Sequence, residues 1–335
     1  MKVSNLMNQD YIFHTIFFFV SLFLILFKEK IANSLKIMDN PDSIRKVHSE
    51  SIASIGGFII LPYLIGALIY QNYSASISLK QLMLWIFLLI FFFMIGFVDD
   101  RRHLGAKVKT FFLLTCLLIV LPLDKSLVIT ALVFQDIKYN IVLNQASLFF
   151  SVFCIFFMYN ALNFSDGLNG IAIGLCIYWI IAILIITGTS NLLYVSIIIS
   201  LFIILIPNLL NKIFIGNSGV NLLSILFSLI FINLFNNNYI LFDQIILLVF
   251  LPSIDLIRIV LERLLSNKSP AEPDQNHFHH LLLKITAAKL TFIPYLAFAI
   301  TPYLLSVIFF KSYVALIISI VSYLIFLFYL KLKNV

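Results

Sequence analysis

"LMLWIFLLIFFFMIGFV" occupies residues 82–98, and "DDRRHLG" follows at 99–105. The first stretch carries no charge, and then two carboxylates and two guanidinium groups arrive together. A bilayer core takes roughly 20 apolar residues per helical span. Inside it, every backbone polar group must be bonded within a helix or a closed barrel. The run is continuous rather than alternating, which is the pattern of a buried helix and not of a barrel strand.

Runs of this kind fill the chain. Of its 335 residues, 62% are hydrophobic and 11% charged, with a mean hydropathy of +1.07. A soluble domain carries roughly 25% charged residues. Eleven spans are predicted, over 11–27, 52–70, 82–98, 109–123, 147–161, 170–187, 191–208, 219–235, 239–258, 290–310 and 312–330. The expectation is an all-α, polytopic integral membrane protein with 10–11 transmembrane helices, and a single transmembrane domain over 1–335. No repeat or low-complexity tract interrupts it. The first run lacks a small-residue cleavage site and is followed by "KEK" (28–30), so it reads as an anchor rather than a signal peptide. Cys116, Cys154 and Cys176 fall inside spans, where cysteine behaves as a small apolar residue. Neither a disulfide nor a cysteine metal site is expected.

Charge predicts the orientation. Seventeen of the 22 Lys and Arg lie in loops after odd-numbered spans, against five on the other side. The positive-inside rule then puts the N-terminus outside and the C-terminus in the cytoplasm. The net charge of +7 is mostly topology, plus attraction to anionic lipid or substrate. No basic stripe with interleaved aromatics appears, so nucleic acid is not an expected partner.

The polar clusters all follow odd-numbered spans: "DNPDSIRKVHSESIASIGG" (39–57), "VDDRRHLGAK" (98–107), "NALNFSDGLNG" (160–170), "NKIFIGNSGVN" (211–221) and "RLLSNKSPAEPDQNHFHHLLLK" (263–284). The orientation count did not use these motifs, so the agreement points to one site at the cytoplasmic face. Each motif has a plain structural reading beside a chemical one. Asp99 and Asp100 are neutralised by Arg101 and Arg102, or they hold a divalent cation. Mg²⁺ is typically bound by one or two carboxylates plus substrate phosphates. Asp166, the only acid in a loop without Lys or Arg, sits among Asn160, Asn163 and Asn169; that is an ordinary Asn/Gly turn or a metal-proximal one. Arg45, Lys46 and His48 are topology or a phosphate-binding cluster. The following Gly56-Gly57 pair would let a phosphate approach free N–H groups at a helix start. His277, His279 and His280 could bind zinc, but two residues apart on a helix His277 and His279 would point to different sides. Phosphate contact is the better reading. Pro273 and Asp274 serve as helix-start signals before them. Asp255 and Arg258, three apart near the end of the ninth span, form a buried-pair candidate.

In their order, "RKVH…GG", "DDRRHLG", "NALNFSDGLNG", "KIFIGNSG" and "PDQNHFHH" resemble the polyprenyl-phosphate N-acetylhexosamine-1-phosphate transferase superfamily over residues 39–285. "SPAEPDQNHFHHLL" is closer to the branch that starts O-antigen, common-antigen and teichoic-acid synthesis than to the peptidoglycan phospho-N-acetylmuramoyl-pentapeptide transferase. The resemblance implies transfer of a sugar-1-phosphate from a UDP-sugar to undecaprenyl phosphate at the bilayer surface. The cofactor it implies is Mg²⁺, or Mn²⁺ in its place, and a homodimer fits it as well. By the same resemblance, Asp99, Asp100 and Asp166 are catalytic and, with Asn217, lie at the metal. Arg45, Lys46, His48, Asn163, Asn169 and the three histidines bind substrate. Phe214 lies beside the uracil, and Asp255 and Arg258 shape the sugar pocket. The chain departs from the pattern at Asn217, where the superfamily usually has a metal-ligating Asp, and at Asn169, which is often Asp. The first loop also lacks the prolines often found before its Gly pair. A catalytically degenerate relative that binds lipid phosphate or a partner, and a transporter, are the alternative classes.

Overall fold

A computed structural model describes residues 2–41, 50–73, 78–136, 139–189, 191–270, 272 and 274–333. It is almost entirely helical: α1 (Lys2–Leu26), α2 (Lys28–Leu35), α3 (Gly56–Tyr73), α4 (Leu79–Arg102), α5 (Ala106–Val120), α6 (Ser147–Ser165), α7 (Ile171–Thr187), α8 (Leu192–Leu209), α9 (Gly216–Asn236), α10 (Phe242–Leu248), α11 (Phe250–Leu265), α12 (Phe278–Leu283), α13 (Phe292–Ile308) and α14 (Ser312–Lys333). Among the described residues, seven helical stretches are long and apolar enough to cross a bilayer. The α10–α11 pair adds an eighth, broken by a 76° bend. The three shorter apolar helices α3, α7 and α13 match the remaining predicted spans. The chain is a multi-pass membrane protein.

Three predicted boundaries move, each for a local reason. The "DDRR" stretch belongs to the last turn of α4, where Arg101 and Arg102 suit the negative end of the helix dipole. His103 closes that helix at φ 48, its N–H donating to Asp99 O at 2.9 Å. Asn160 and Asn163 are helical rather than in the loop. Their side-chain amides donate to Phe156 O and Tyr159 O, both at 2.8 Å, so these polar groups are satisfied within α6. The ninth span breaks at Val249. Pro252, in the first turn of α11, has no N–H to give the Leu248 carbonyl. The buried Trp179 indole takes that carbonyl instead, at 2.9 Å.

The chain divides into two compact units, Met1–Leu104 with Ile180–Leu223, and Gly105–Trp179 with Ser224–Val335. In the first, α3 packs against α8, α4 and α1. Gly66 lets α1 approach closely, since a Cβ there would lie 2.5 Å from the Phe17 ring, and Phe17 stacks on Tyr63 at 5.1 Å. A two-residue antiparallel ladder joins Met38–Asp39 to Ile52–Ala53, and Ala53 also bridges Ile213 in parallel. In the second unit, α6 packs against α5 and α11, and α13 against α14 and α10. A second short ladder pairs Ala131–Leu132 with Ile141–Val142.

Candidate active site

In the first unit the acidic pair meets the "GNSG" motif. Asp100 accepts the Asn217 N–H at 2.8 Å and the Ser218 N–H at 3.0 Å, one on each carboxylate oxygen. These are orphan amides of the first turn of α9, so Asp100 caps that helix at its positive end. The approach needs glycines. A Cβ on Gly96 would lie 2.4 Å from Asn217 O, and one on Gly57 would lie 2.6 Å from Gly219 N. Gly216 holds φ +71, and a Cβ there would press on Asp100 Oδ2 at 2.9 Å. Asp99, 4% exposed, accepts the Leu104 N–H at 2.7 Å. The Arg101 guanidinium lies over the Phe97 ring at 5.5 Å.

The Gly56-Gly57 amides are not free for a phosphate. They donate to Phe214 O at 3.0 Å and Ile215 O at 3.1 Å, while the Phe214 N–H donates to Ala53 O at 2.9 Å. The half-buried Phe214 is thereby locked into a backbone zipper ahead of α9. Arg45, Lys46 and His48 lie outside the described residues.

The second unit gathers the histidine motif around Asp255. This carboxylate, 4% exposed, receives Arg258 Nη2 at 2.6 Å, the Tyr323 hydroxyl at 3.0 Å and the Phe278 N–H at 3.2 Å. His277 Nδ1 lies 3.2 Å from its other oxygen. Arg258 also donates to Tyr323 Oη, Glu262 and Asn276 O. The predicted buried pair is therefore real, and its polar atoms turn onto the histidine loop. The helix-start reading moves: α12 begins at Phe278, after His277, and its first amide is capped by the distant Asp255. Asp274 instead binds the Asn276 N–H at 2.8 Å and Arg263 Nε at 2.8 Å. Pro273 lies outside the described residues. Burial alone would raise the Asp274 pKa; the Asn276 amide and the Arg263 charge outweigh it and lower it.

Because His277 precedes the helix, the two-apart argument fails. The His277 and His279 rings stack at 5.4 Å, inclined by 11°. Phe164 meets His277 edge-on at 5.2 Å, and the Arg263 guanidinium lies over the same Phe164 ring at 5.2 Å. His279 reaches the Asp166 turn: a Cβ on Gly167 would fall 2.0 Å from His279 Nε2. His279 is 1% exposed, and neither ring nitrogen has a hydrogen-bond partner among the described residues. Burial, and then the His280 and His277 charges, lower its pKa well below the ordinary histidine value; burial and His277 lower that of His280. Asp166 ends α6, its N–H donating to Asn163 O at 3.3 Å, and Asn169 and Gly170 (φ 81) complete the turn. Among the described residues no three His, Cys, Asp or Glu side chains form a ready metal cage.

Tyr323, Arg263 and Phe164 were not assigned from sequence. Tyr323, one of three Tyr in the last span, carries no local signal of contact with residue 255, and Arg263 finds its carboxylate eleven residues away.

Residues 82–235 match glycosyl transferase family 4. The chain is 25% identical over 283 residues to the probable undecaprenyl-phosphate N-acetylglucosaminyl 1-phosphate transferase of Bacillus subtilis (strain 168), covering 79% of this chain and 76% of that one. It is 27% identical over 297 residues to the undecaprenyl-phosphate alpha-N-acetylglucosaminyl 1-phosphate transferase of Escherichia coli (strain K12), covering 84% and 78%. Over 181 residues, 48% of each chain, it is 30% identical to the phospho-N-acetylmuramoyl-pentapeptide-transferase of Prochlorococcus marinus (strain MIT 9312). The family match and these relatives support the polyprenyl-phosphate N-acetylhexosamine-1-phosphate transferase superfamily that the motifs resemble.

Proposed function

We propose that this chain transfers a sugar-1-phosphate, a HexNAc-1-phosphate, from a UDP-sugar to undecaprenyl phosphate. This is a reaction of EC 2.7.8 type, and it would start a cell-surface polysaccharide. An oxygen of the lipid phosphate attacks the phosphorus that carries the sugar. The bond from that phosphorus to the bridging oxygen breaks, UMP leaves with the electron pair, and a lipid-linked diphosphosugar remains. The positive-inside count supports a bacterial cytoplasmic membrane with the N-terminus outside and the reaction at the inner face. A homodimer fits this reading.

The observation that carries the proposal is the contact of Asp100 with the Asn217 and Ser218 amides. It joins two of the superfamily motifs across 117 residues of chain at a helix start. The donor chemistry there fits Mg²⁺. Each Asp100 oxygen accepts one backbone amide, and the carboxylates of Asp99 and Asp100 and the Asn217 amide oxygen are hard oxygen ligands of the kind Mg²⁺ takes. Asp99, Asp100 and Asn217 would hold the ion, and when bound it would neutralise charge on the diphosphate. With Asn217 in place of a carboxylate the set is one charge poorer, so Mg²⁺, or Mn²⁺, is held more weakly.

A phosphate monoester's second pKa is about 6, so the acceptor is already largely ionised at neutral pH. Asp99 and Asp100 therefore position it rather than deprotonate it. Asp166, Asn163 and Asn169 bind the donor, and Phe214 stacks on its uracil. His279, buried with both ring nitrogens unpartnered beside Gly167, supports the assignment of the histidine loop to the diphosphate.

The test uses purified protein, undecaprenyl phosphate and a panel of radiolabelled UDP-sugars across a Mg²⁺ and a Mn²⁺ titration, with Asp99→Asn as the inactive control. Label in lipid from the native chain supports the proposal. Label only in Asn217→Asp identifies a catalytically degenerate relative whose scaffold still binds. No label from either, with any sugar, overturns it.

A further inference from the structure

The Asp255 carboxylate gathers more donors than a buried ion pair needs. Arg258, three residues on, would balance its charge alone. The remaining donors come from elsewhere: the His277 ring and the Phe278 amide from the histidine loop, and the Tyr323 hydroxyl from α14. Tyr323 is fully buried and bridges the pair, accepting from Arg258 Nε at 2.8 Å while donating to Asp255 Oδ1 at 3.0 Å.

A carboxylate only accepts hydrogen bonds, so the His277 nitrogen beside it must carry the proton. Neutral His277 is thereby held as the Nδ1–H tautomer, with the lone pair on Nε2. In its protonated form Nε2–H becomes a donor suited to a phosphate oxygen. Nε2 has no hydrogen-bond partner among the described residues. The ring plane is restrained as well, by the His279 stack on one face and the Phe164 edge.

We propose that Asp255 and Tyr323 are positioning residues that act through His277. They fix its tautomer and aim Nε2 at the substrate phosphates, so that α14 takes part in the reaction without touching substrate. This rests on the transferase reading and reassigns Asp255 and Arg258 from the wall of the sugar pocket to the support of the histidine.

The test combines kinetics with ¹⁵N NMR of histidine-labelled protein, His277 being assigned by loss of its signal in His277→Gln. In the native chain the neutral ring is expected to be protonated at Nδ1. Asp255→Asn presents an amide N–H to that nitrogen and favours the opposite tautomer. With it, kcat falls about 10- to 100-fold while both KM values stay within about threefold. Tyr323→Phe keeps the ring packing and loses only the hydroxyl; the tautomer is retained and kcat falls about tenfold. A native ring protonated at Nε2, or native kcat in both variants, overturns the proposal. If the native chain transfers no sugar at all, the transferase reading fails, and the NMR measurement still decides the tautomer.

Discussion

Asp100 does two jobs that ordinary mutagenesis would confuse. Besides its proposed place at the metal, it caps α9 with one amide on each oxygen, at 2.8 and 3.0 Å. Hydrogen bonds to a charged group contribute about 1.5–3 kcal/mol each, and loss of an N-cap side chain costs about 0.5–2 kcal/mol. These figures describe the same contacts and do not add. Asp100→Ala, which strands both amides, is expected to cost about 2–4 kcal/mol. Asp100→Asn keeps one acceptor, turns an amide N–H toward the other, and is expected to cost about 1–2 kcal/mol. Asp99 lies at the negative end of the α4 dipole, so Asp99→Asn removes a disfavoured charge while keeping an acceptor for Leu104 N–H. Its expected effect is within about 1 kcal/mol of zero. The assay is unfolding of the purified protein in mixed micelles, followed by circular dichroism as the fraction of denaturing detergent rises. An Asp100→Ala midpoint equivalent to less than about 0.5 kcal/mol of destabilisation would refute the capping argument. If the argument holds, activity lost in Asp100 variants must be corrected for the folded fraction before any of it is assigned to chemistry.

Gly167→Ala would put a Cβ 2.0 Å from His279 Nε2, so the imidazole must move; the expected result is a cost of about 1–3 kcal/mol and loss of transferase activity, read by unfolding and by lipid-linked label. Trp179→Phe leaves the Leu248 carbonyl without the indole N–H that replaces Pro252, and about 1–3 kcal/mol of stability should go with it; an unchanged unfolding midpoint would count against that account of the bend. His279 and His280 have lowered pKa values, so below about pH 6.5 the unfolded chain binds more protons than the folded one. Their contribution is fully present above that pH and is lost as pH falls toward their folded values. Unfolding midpoints from pH 7.5 to 5.5 should therefore fall with acid, and His279→Leu should flatten the slope.

The departure at Asn217 has a structural side. Its backbone N–H is what Asp100 binds, and an Asp at 217 would supply the same amide. The cap therefore tolerates either residue, and the difference is confined to the side chain, hence to charge. A third carboxylate beside Asp100 and Asp99 would repel them without a cation, so Asn217→Asp should tighten Mg²⁺ dependence while lowering stability in its absence.

Composition and continuous apolar runs were enough to place eleven apolar helical segments, seven of them, or eight with the bent pair, long enough among the described residues to cross a bilayer, because the bilayer sets the length and polarity of each helix independently of its neighbours. The motifs, in order, were enough to point to the superfamily that the family match and the relatives support. What sequence could not carry was the pairing of polar groups distant in the chain. Asp99 and Asp100 read as a loop, yet Asp100 caps a helix that begins 116 residues later. The Gly56-Gly57 amides looked open, yet they bond to the Phe214 and Ile215 carbonyls. His277 and His279 were expected on opposite sides of a helix, but the helix starts one residue too late, since Asp255 rather than Asp274 caps it. The distinction has a physical cause. Apolar burial is a sum over local residues and shows as periodicity, whereas a hydrogen bond needs one partner at one distance. Only the packing of α4 against the start of α9, and of α11 and α14 around the histidine loop, decides which partner that is.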